Sequence, residues 1–221
     1  MFHKLTNLSF TTEIVNNCPL HLSLCSNKNY IFQELKKFNL MNTNKRNRVY
    51  IATSLDGYIA DKNGGIEWLE NVPNPENDDM GYEAFMTETD AIIMGRNTFE
   101  TVCSFDIPWP YKIPVFVLSN TLNSIPNPYQ EHVQLLRGKV KEALKQLHGK
   151  GINSLYIDGG KLIQSFLKED LIDELIITTI PILLGEGIPL FSNLDKPLQF
   201  ECLSSKKFTN SLSQNHYIRL R

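Results

Sequence analysis

The chain has 221 residues, 42% of them hydrophobic and 21% charged, so it can bury a core of ordinary size and is not a disordered or collagen-like protein. A net charge of −2 gives no electrostatic reason to bind nucleic acid, and no run approaches the ~18–20 apolar residues that span a bilayer. Cys18, Cys25, Cys103 and Cys202 lie scattered without CxxC spacing, so a reducing compartment and a cytoplasmic location are expected.

Residues 1–48 carry seven basic residues against two acidic ones and hold nine asparagines, whereas the remainder has a net charge of −7. The first stretch shows no sustained period of 2 or 3.6. Residues 1–46 therefore read as an N-terminal extension and residues 47–221 as one domain. The extension is either a disordered tail or the product of an upstream start, with Met41 opening the natural protein. The lack of arginine before Arg46 speaks against an organelle transit peptide. Cys18, His21 and Cys25 offer three ligands where a structural zinc wants four, so no metal site is expected.

From residue 48 the pattern becomes regular. Arg48–Thr53 reads as a buried strand, Ser54–Gly57 as a turn, and Tyr58–Ala60 as a short return before the loop at Asp61–Gly65. Pro73 and Pro75 mark a second loop, and a short helix is predicted from Met80 to Glu88. Ala91–Met94 is an apolar strand ending at Gly95, and Ile113–Leu118 is another between proline-rich loops. Apolar positions at 140, 143, 144 and 147 have the spacing of one buried helix face. Then come a strand at Ser154–Ile157, a helix at Leu162–Leu167 and a strand at Glu174–Ile180. Extended segments at 198–203 and 215–220 could pair as an antiparallel edge. Strands separated by helices predict an α/β layered fold around a mostly parallel sheet.

Ligands of open α/β sheets bind beyond the C-terminal strand ends. Met94-Gly95-Arg96-Asn97-Thr98-Phe99-Glu100 stands at such an end, and Asn97 with Glu100 resembles a capping box that would start a helix. Free N–H groups, the helix dipole, the Arg96 cation and the Thr98 hydroxyl all favour a phosphate there; an ordinary capped helix with a surface arginine fits equally well. Asp158-Gly159-Gly160-Lys161-Leu162 puts two glycines between a strand and a helix, which lets a ligand approach the backbone. The pattern is not GxGxxG. Ser119-Asn120 adds a hydroxyl and an amide at a third strand end. His132, His148 and His216 lie among polar residues and read as solvated.

Ile51–Ala60, Gly65-Ile66-Glu67-Trp68 and Ile93–Glu100 together resemble the dihydrofolate reductase fold family. Tyr156–Gly160, Leu171–Leu175 and Pro181–Gly187 narrow this to the reductase domain of the bifunctional riboflavin-biosynthesis deaminase/reductase and its stand-alone relatives. The resemblance runs over about residues 47–221. It implies a three-layer αβα sandwich around a mixed sheet, NADPH as cofactor and a homodimer. It also implies hydride transfer to a C=O or C=N group, most like reduction of 5-amino-6-(5-phosphoribosylamino)uracil; a pterin-type reductase or a non-catalytic nucleotide binder are the alternatives.

Residue by residue, the resemblance assigns Ala52, Ile59 and Trp68 to the nicotinamide pocket. It assigns Gly95, Arg96, Asn97 and Thr98 to the phosphate-binding helix start, and Ser119 to the adenosine ribose phosphate. Gly159, Gly160, Lys161 and Leu162 match the turn under the pyrophosphate. Asp158 falls where the riboflavin-pathway reductases carry a glutamate that touches substrate, so it is the candidate for catalysis and substrate binding, with Ile66 and Asp56 also on the substrate side. For Asp56, a turn held through its own backbone competes with that role, as core packing does for Trp68 and Ile59.

Two departures matter. Dihydrofolate reductases carry a carboxylate on the helix after the tryptophan; here Asp79 would serve only if that helix is shifted. The deaminase zinc motifs, HxE and PCxxC, do not occur in the chain, so no deamination is expected. Lys62, Lys112 and Lys161 are the loop cations available to a substrate phosphate.

Overall fold

A computed structural model describes residues 45–221 apart from 70, 75, 209 and 210. The extension and its Cys18, His21 and Cys25 lie outside the described residues.

The elements begin with β1 (Arg46–Ser54), β2 (Tyr58–Ala60) and α1 (Tyr82–Thr87). Next come β3 (Ala91–Gly95), α2 (Arg96–Ser104), β4 (Val115–Leu118), β5 (Val133–Leu136) and α3 (Val140–Gly149). The chain closes with β6 (Ser154–Asp158), α4 (Gly160–Lys168), β7 (Glu174–Ile180), β8 (Ile188–Pro189), β9 (Phe200–Lys207) and β10 (Ser213–Arg219). The main sheet runs β5-β4-β3-β6-β1-β7-β10-β9, while β2 and β8 pair separately. Its first six strands are parallel, and β10 and β9 add an antiparallel pair at one edge. The expected antiparallel edge is this pair.

Both faces of the parallel part are covered, which is why its strands read as unbroken apolar runs. Ile93, Leu155 and Ile157 face α3 and α4, where Leu144, Leu147, Ile163 and Phe166 close one core. Ile92, Met94 and Val117 face the other way and pack with Phe85 of α1 and Phe99 of α2. The result is helix, sheet and helix in three layers.

Several expectations shift. The predicted helix over 80–88 shortens to 82–87 because Met80 and Gly81 both take positive φ, 58° and 89°, and form a turn instead. Asp79 accepts the N–H groups of Gly81 and Glu83, so its carboxylate is spent at the start of α1 rather than offered to a ligand. The Asn97/Glu100 capping box does not form. Gly95, already extended at the strand end, occupies the cap position, so α2 opens two residues early and Glu100 turns back to Arg96 at 2.7 Å. β5 has no counterpart in the sequence reading. It is four residues long with a mixed burial pattern, which leaves neither a period of 2 nor a continuous apolar run to recognise. His216, read as solvated, sits 3.2 Å from Glu174.

Candidate active site

Parallel strands deliver their following helices in one sense, so the starts of α2, α3 and α4 all border one cavity of about 1230 Å³. Gly95-Arg96-Asn97-Thr98, Gly138-Lys139-Val140 and Gly159-Gly160-Lys161-Leu162 line it. Each helix start leaves N–H groups without intrahelical partners and carries the positive end of a dipole. No side chain caps α2 or α4, so the donors of those first turns stay available. Around α3 they are partly spent: Glu142 accepts from Lys139 N–H and Asn120 from Gly138 N–H.

The glycines of the β6–α4 turn are demanded by contact. Gly159 has φ of +93°, and a Cβ there would overlap Thr98 Oγ1 of α2. A Cβ on Gly160 would stand 2.7 Å from Ile59 Cδ1. Two helix starts and β2 therefore close on bare backbone, leaving a floor that a polyanion can touch directly. Arg96 projects at this edge, held 2.7 Å from Glu100.

Asp158, the last residue of β6, lines the same cavity. Its Oδ1 accepts the Gly159 N–H at 2.8 Å. Burial pushes its carboxyl up to about 6, against smaller downward pulls from the Gly159 N–H and the Tyr156 hydroxyl. Tyrosines surround it. Burial and the Asp158 charge raise Tyr82 to about 12 and push Tyr111 and Tyr156 higher still. Tyr156 donates to Tyr50 O at 2.9 Å and Tyr50 donates to Met80 O at 2.9 Å, so both hydroxyls brace the layer under the cavity. Gln214 ties Tyr50 to Thr178 at 3.1 and 3.0 Å.

Residues 48–213 match the family model of the RibD C-terminal domain. The chain belongs to that family. It is 37% identical over 174 residues to the uncharacterized protein YwjB of Bacillus subtilis strain 168, covering 77% of this chain and 96% of that one. Among solved structures, a protein provisionally assigned to riboflavin biosynthesis from Shewanella sp. PV-4 is 54% identical, with a TM-score of 0.77 over 80% of this chain and 99% of that one. The bifunctional diaminohydroxyphosphoribosylaminopyrimidine deaminase/5-amino-6-(5-phosphoribosylamino)uracil reductase of Thermotoga maritima shares the fold at 17% identity and a TM-score of 0.63, over 85% of this chain and 62% of that one. Dihydrofolate reductase of Enterococcus faecalis, solved with NADP(H), shares it at 16% identity and a TM-score of 0.55, over 80% and 98%.

Within this RibD C-terminal fold, most of the residues singled out from the sequence meet at the one cavity. The helix-start and glycine-turn residues line it, as do Ala52, Ile59, Ile66 and Asp158. Three expected site residues do not. Trp68 is 8% exposed and packs with Ile180, Phe208 and Leu212 in a separate core, because its short 3-10 helix turns the indole inward. Ser119 is buried, its Oγ taken by the N–H groups of Thr121 and Leu122 at the turn after β4. Asp56 accepts from Ser54 Oγ and from the N–H groups of Leu184 and Gly185, so it pins two loops together outside the cavity wall.

Of the loop cations, Lys62 and Lys161 border the cavity and Lys112 does not; Lys62 is paired with Glu186 at 2.6 Å. Sequence reasoning missed Lys139, which reaches the cavity through the unrecognised β5, and Tyr111, which comes from an irregular loop. Among the described residues no group of three or more His, Cys, Asp and Glu could hold a metal ion, and no helix is long and apolar enough to cross a membrane.

Proposed function

We propose that this chain is an NADPH-dependent reductase that delivers hydride to a C=O or C=N group of a pyrimidine-derived substrate, most like 5-amino-6-(5-phosphoribosylamino)uracil reductase. One observation carries the reading: a single cavity joins three helix N-termini and a bare glycine floor to a carboxyl whose pKa lies near 6. The reductase activities of the Thermotoga maritima and Enterococcus faecalis proteins that share the fold support it.

The residues present fit a phosphorylated dinucleotide. The N–H groups from Arg96 to Thr98 and around Gly160 would hold its phosphates, with the Arg96 and Lys161 cations beside them. Gly159 and Gly160, where a Cβ would clash with Thr98 and Ile59, let the turn close against α2 and β2 at the cavity. Ala52 and Ile59 supply an apolar wall for the nicotinamide, and Ile66 one for the substrate; both walls keep water from the reacting atoms. The dihydronicotinamide supplies the hydride.

Asp158 supplies the proton. With a pKa of about 6, a useful fraction of the carboxyl is protonated near neutrality, whereas an ordinary aspartate would be almost fully ionised. Its Oδ1 is fixed on Gly159 N–H, so the proton is carried on Oδ2, towards the substrate heteroatom or a relaying water. The rate constant for reduction should therefore fall as pH rises through about 6. Resemblance also suggests a homodimer built on the edge strands, which sedimentation of the purified chain tests.

Titrating NADPH and NADH while following tryptophan emission tests the cofactor, and NADPH oxidation with pyrimidine, pterin and carbonyl substrates tests the reaction. NADPH should bind at least about tenfold more tightly than NADH, a difference of roughly 1.4 kcal/mol. Failure of both nucleotides to bind leaves the glycine turns as turns and sinks the reductase reading.

A further inference from the structure

We propose, resting on the reductase reading, that Tyr111 is a second substrate-contacting residue, donating a hydrogen bond to the heteroatom of the reducible bond while Asp158 protonates it. Tyr111 lines the cavity together with Asp158. Tyr50, Tyr129 and Tyr156 spend their hydroxyls on the carbonyls of Met80, Cys103 and Tyr50. Tyr111 makes no such bond among the described hydrogen bonds, so its hydroxyl is free to serve a ligand. Its ring is held in place, since Trp109 packs against it edge to face with centroids 5.4 Å apart.

The surroundings suit a donor that keeps its proton. The groups facing Asp158 are Tyr82 from α1, Tyr111 from its loop, and Tyr156 and the Gly159 N–H from its own strand and turn. Burial first, and then the Asp158 charge, disfavour a phenolate, so Tyr111 remains a phenol through the reaction. In the step, the carbon receives the hydride and the π pair of the C=O or C=N bond moves to the heteroatom. The Asp158 O–H bond breaks, the heteroatom–H bond forms, and a carboxylate is left for solvent to reprotonate. Tyr111 stabilises the charge that builds on the heteroatom and transfers nothing. A phenol and a neutral carboxylic acid sharing one developing anion in an apolar site is an effective arrangement for this.

Trp109 makes the proposal testable without turnover. The chain has two tryptophans, and Trp68→Phe removes one of them without losing a hydrogen bond, because the buried Nε1 has no partner among the described residues. In the Trp68→Phe protein, emission then reports on Trp109 and its neighbour Tyr111. We expect 5,6-diaminouracil to change that emission, and Tyr111→Phe to weaken the probe about fivefold to tenfold, the loss of one neutral hydrogen bond. NADPH affinity should stay unchanged. With an active substrate, kcat should fall about 10–100-fold, while the pH midpoint near 6 stays in place, since Asp158 sets it. Equal probe binding and equal kcat in Tyr111→Phe overturn the proposal, as does a probe that leaves Trp109 unchanged. Absence of NADPH binding in the unmutated chain breaks the reductase reading separately, because the probe arm needs no cofactor.

Discussion

The two ends of the central strands treat buried charge in opposite ways. At the N-terminal end, Arg48 is 2% exposed yet meets Glu88 at 3.0 Å and Thr89 Oγ1 at 2.8 Å, with its guanidinium over the Phe85 ring. Glu174 beside it faces Arg46 at 3.3 Å and His216 at 3.2 Å. Burial alone would raise Glu174, but His216, Arg46 and Arg48 outweigh it and its pKa is lowered. At the C-terminal end the groups that act on Asp158 among the described residues are an N–H and a phenol, and burial wins. The same sheet therefore holds one carboxylate ionised as structure and another half-ready to give up a proton. On the proposed reading, withholding a counter-ion is what fits Asp158 to donate a proton.

Removing Arg48 would break the comparison most severely. Arg48→Met keeps length and apolar bulk but strips the charge that Glu88 and Glu174 face. Glu88 is 60% exposed and Glu174 keeps Arg46 and His216, so the loss is that of Arg48's buried charged hydrogen bonds, about 1–3 kcal/mol, and urea unfolding should show it. NADPH binding by the folded fraction should be untouched. An unchanged unfolding midpoint would mean that the N-terminal seal contributes no stability.

Gly159→Ala comes next and attacks the other end. The +93° φ and the overlap with Thr98 Oγ1 impose strain of about 1–3 kcal/mol. The overlap also displaces the Gly159 turn or Thr98, both of which line the cavity, so NADPH affinity should drop by about tenfold. Thr98→Ala in the same chain should recover part of the stability by removing the overlap, but not the part due to φ. Thermal melting and nucleotide titration separate the two.

The contrast between the ends also explains what was legible in the sequence. Features written in local backbone needs could be read: the strand ending at Gly95, the paired glycines after Asp158, and the 140/143/144/147 stripe of α3. Features decided by partners far along the chain could not. Arg48 reads as the polar start of a strand, and its partners lie 40 and 41 residues away. Tyr111 sits in a proline-flanked loop with no periodicity, and only the path of that loop brings it to the cavity. Trp68 and Ser119 lie away from the cavity lining for the same reason. Family position placed them at the pocket, while their own packing turned one into a core and the other into a turn.

Asp158→Asn sharpens the comparison through pH. The carboxyl moves from 3.8 to about 6 on folding, so the folded state prefers the protonated form. The favourable contribution is complete below the unfolded value and is lost as pH rises through about 6. Asn keeps the Gly159 contact and never ionises. The variant should therefore match the parent near pH 4 and exceed it above pH 7. The two-unit shift sets an upper bound near 3 kcal/mol; water in an open cavity screens the charge and leaves about 1 kcal/mol, or ~2–4 °C in Tm. Reduction should meanwhile be nearly abolished. A pairing cation overlooked at this end would reverse the sign, and Asn would then destabilise the protein at neutral pH.

Glu100→Gln carries the smallest effect and asks what Arg96 is held ready for. The two side chains are 43% and 48% exposed, and their contact is an i,i+4 pair on a helix surface, worth about 0.3–0.5 kcal/mol. Stability should barely change. Binding should improve slightly, because a phosphate arriving at the start of α2 no longer competes with Glu100 for the guanidinium or meets its charge. An affinity gain of about twofold to threefold for NADPH is the scale expected, shrinking as salt is raised. The ratio to NADH carries the information. If only NADPH gains, Arg96 contacts the 2′-phosphate and sets cofactor preference. If both nucleotides gain equally, Arg96 serves the shared pyrophosphate, and preference must be built elsewhere around the same helix starts.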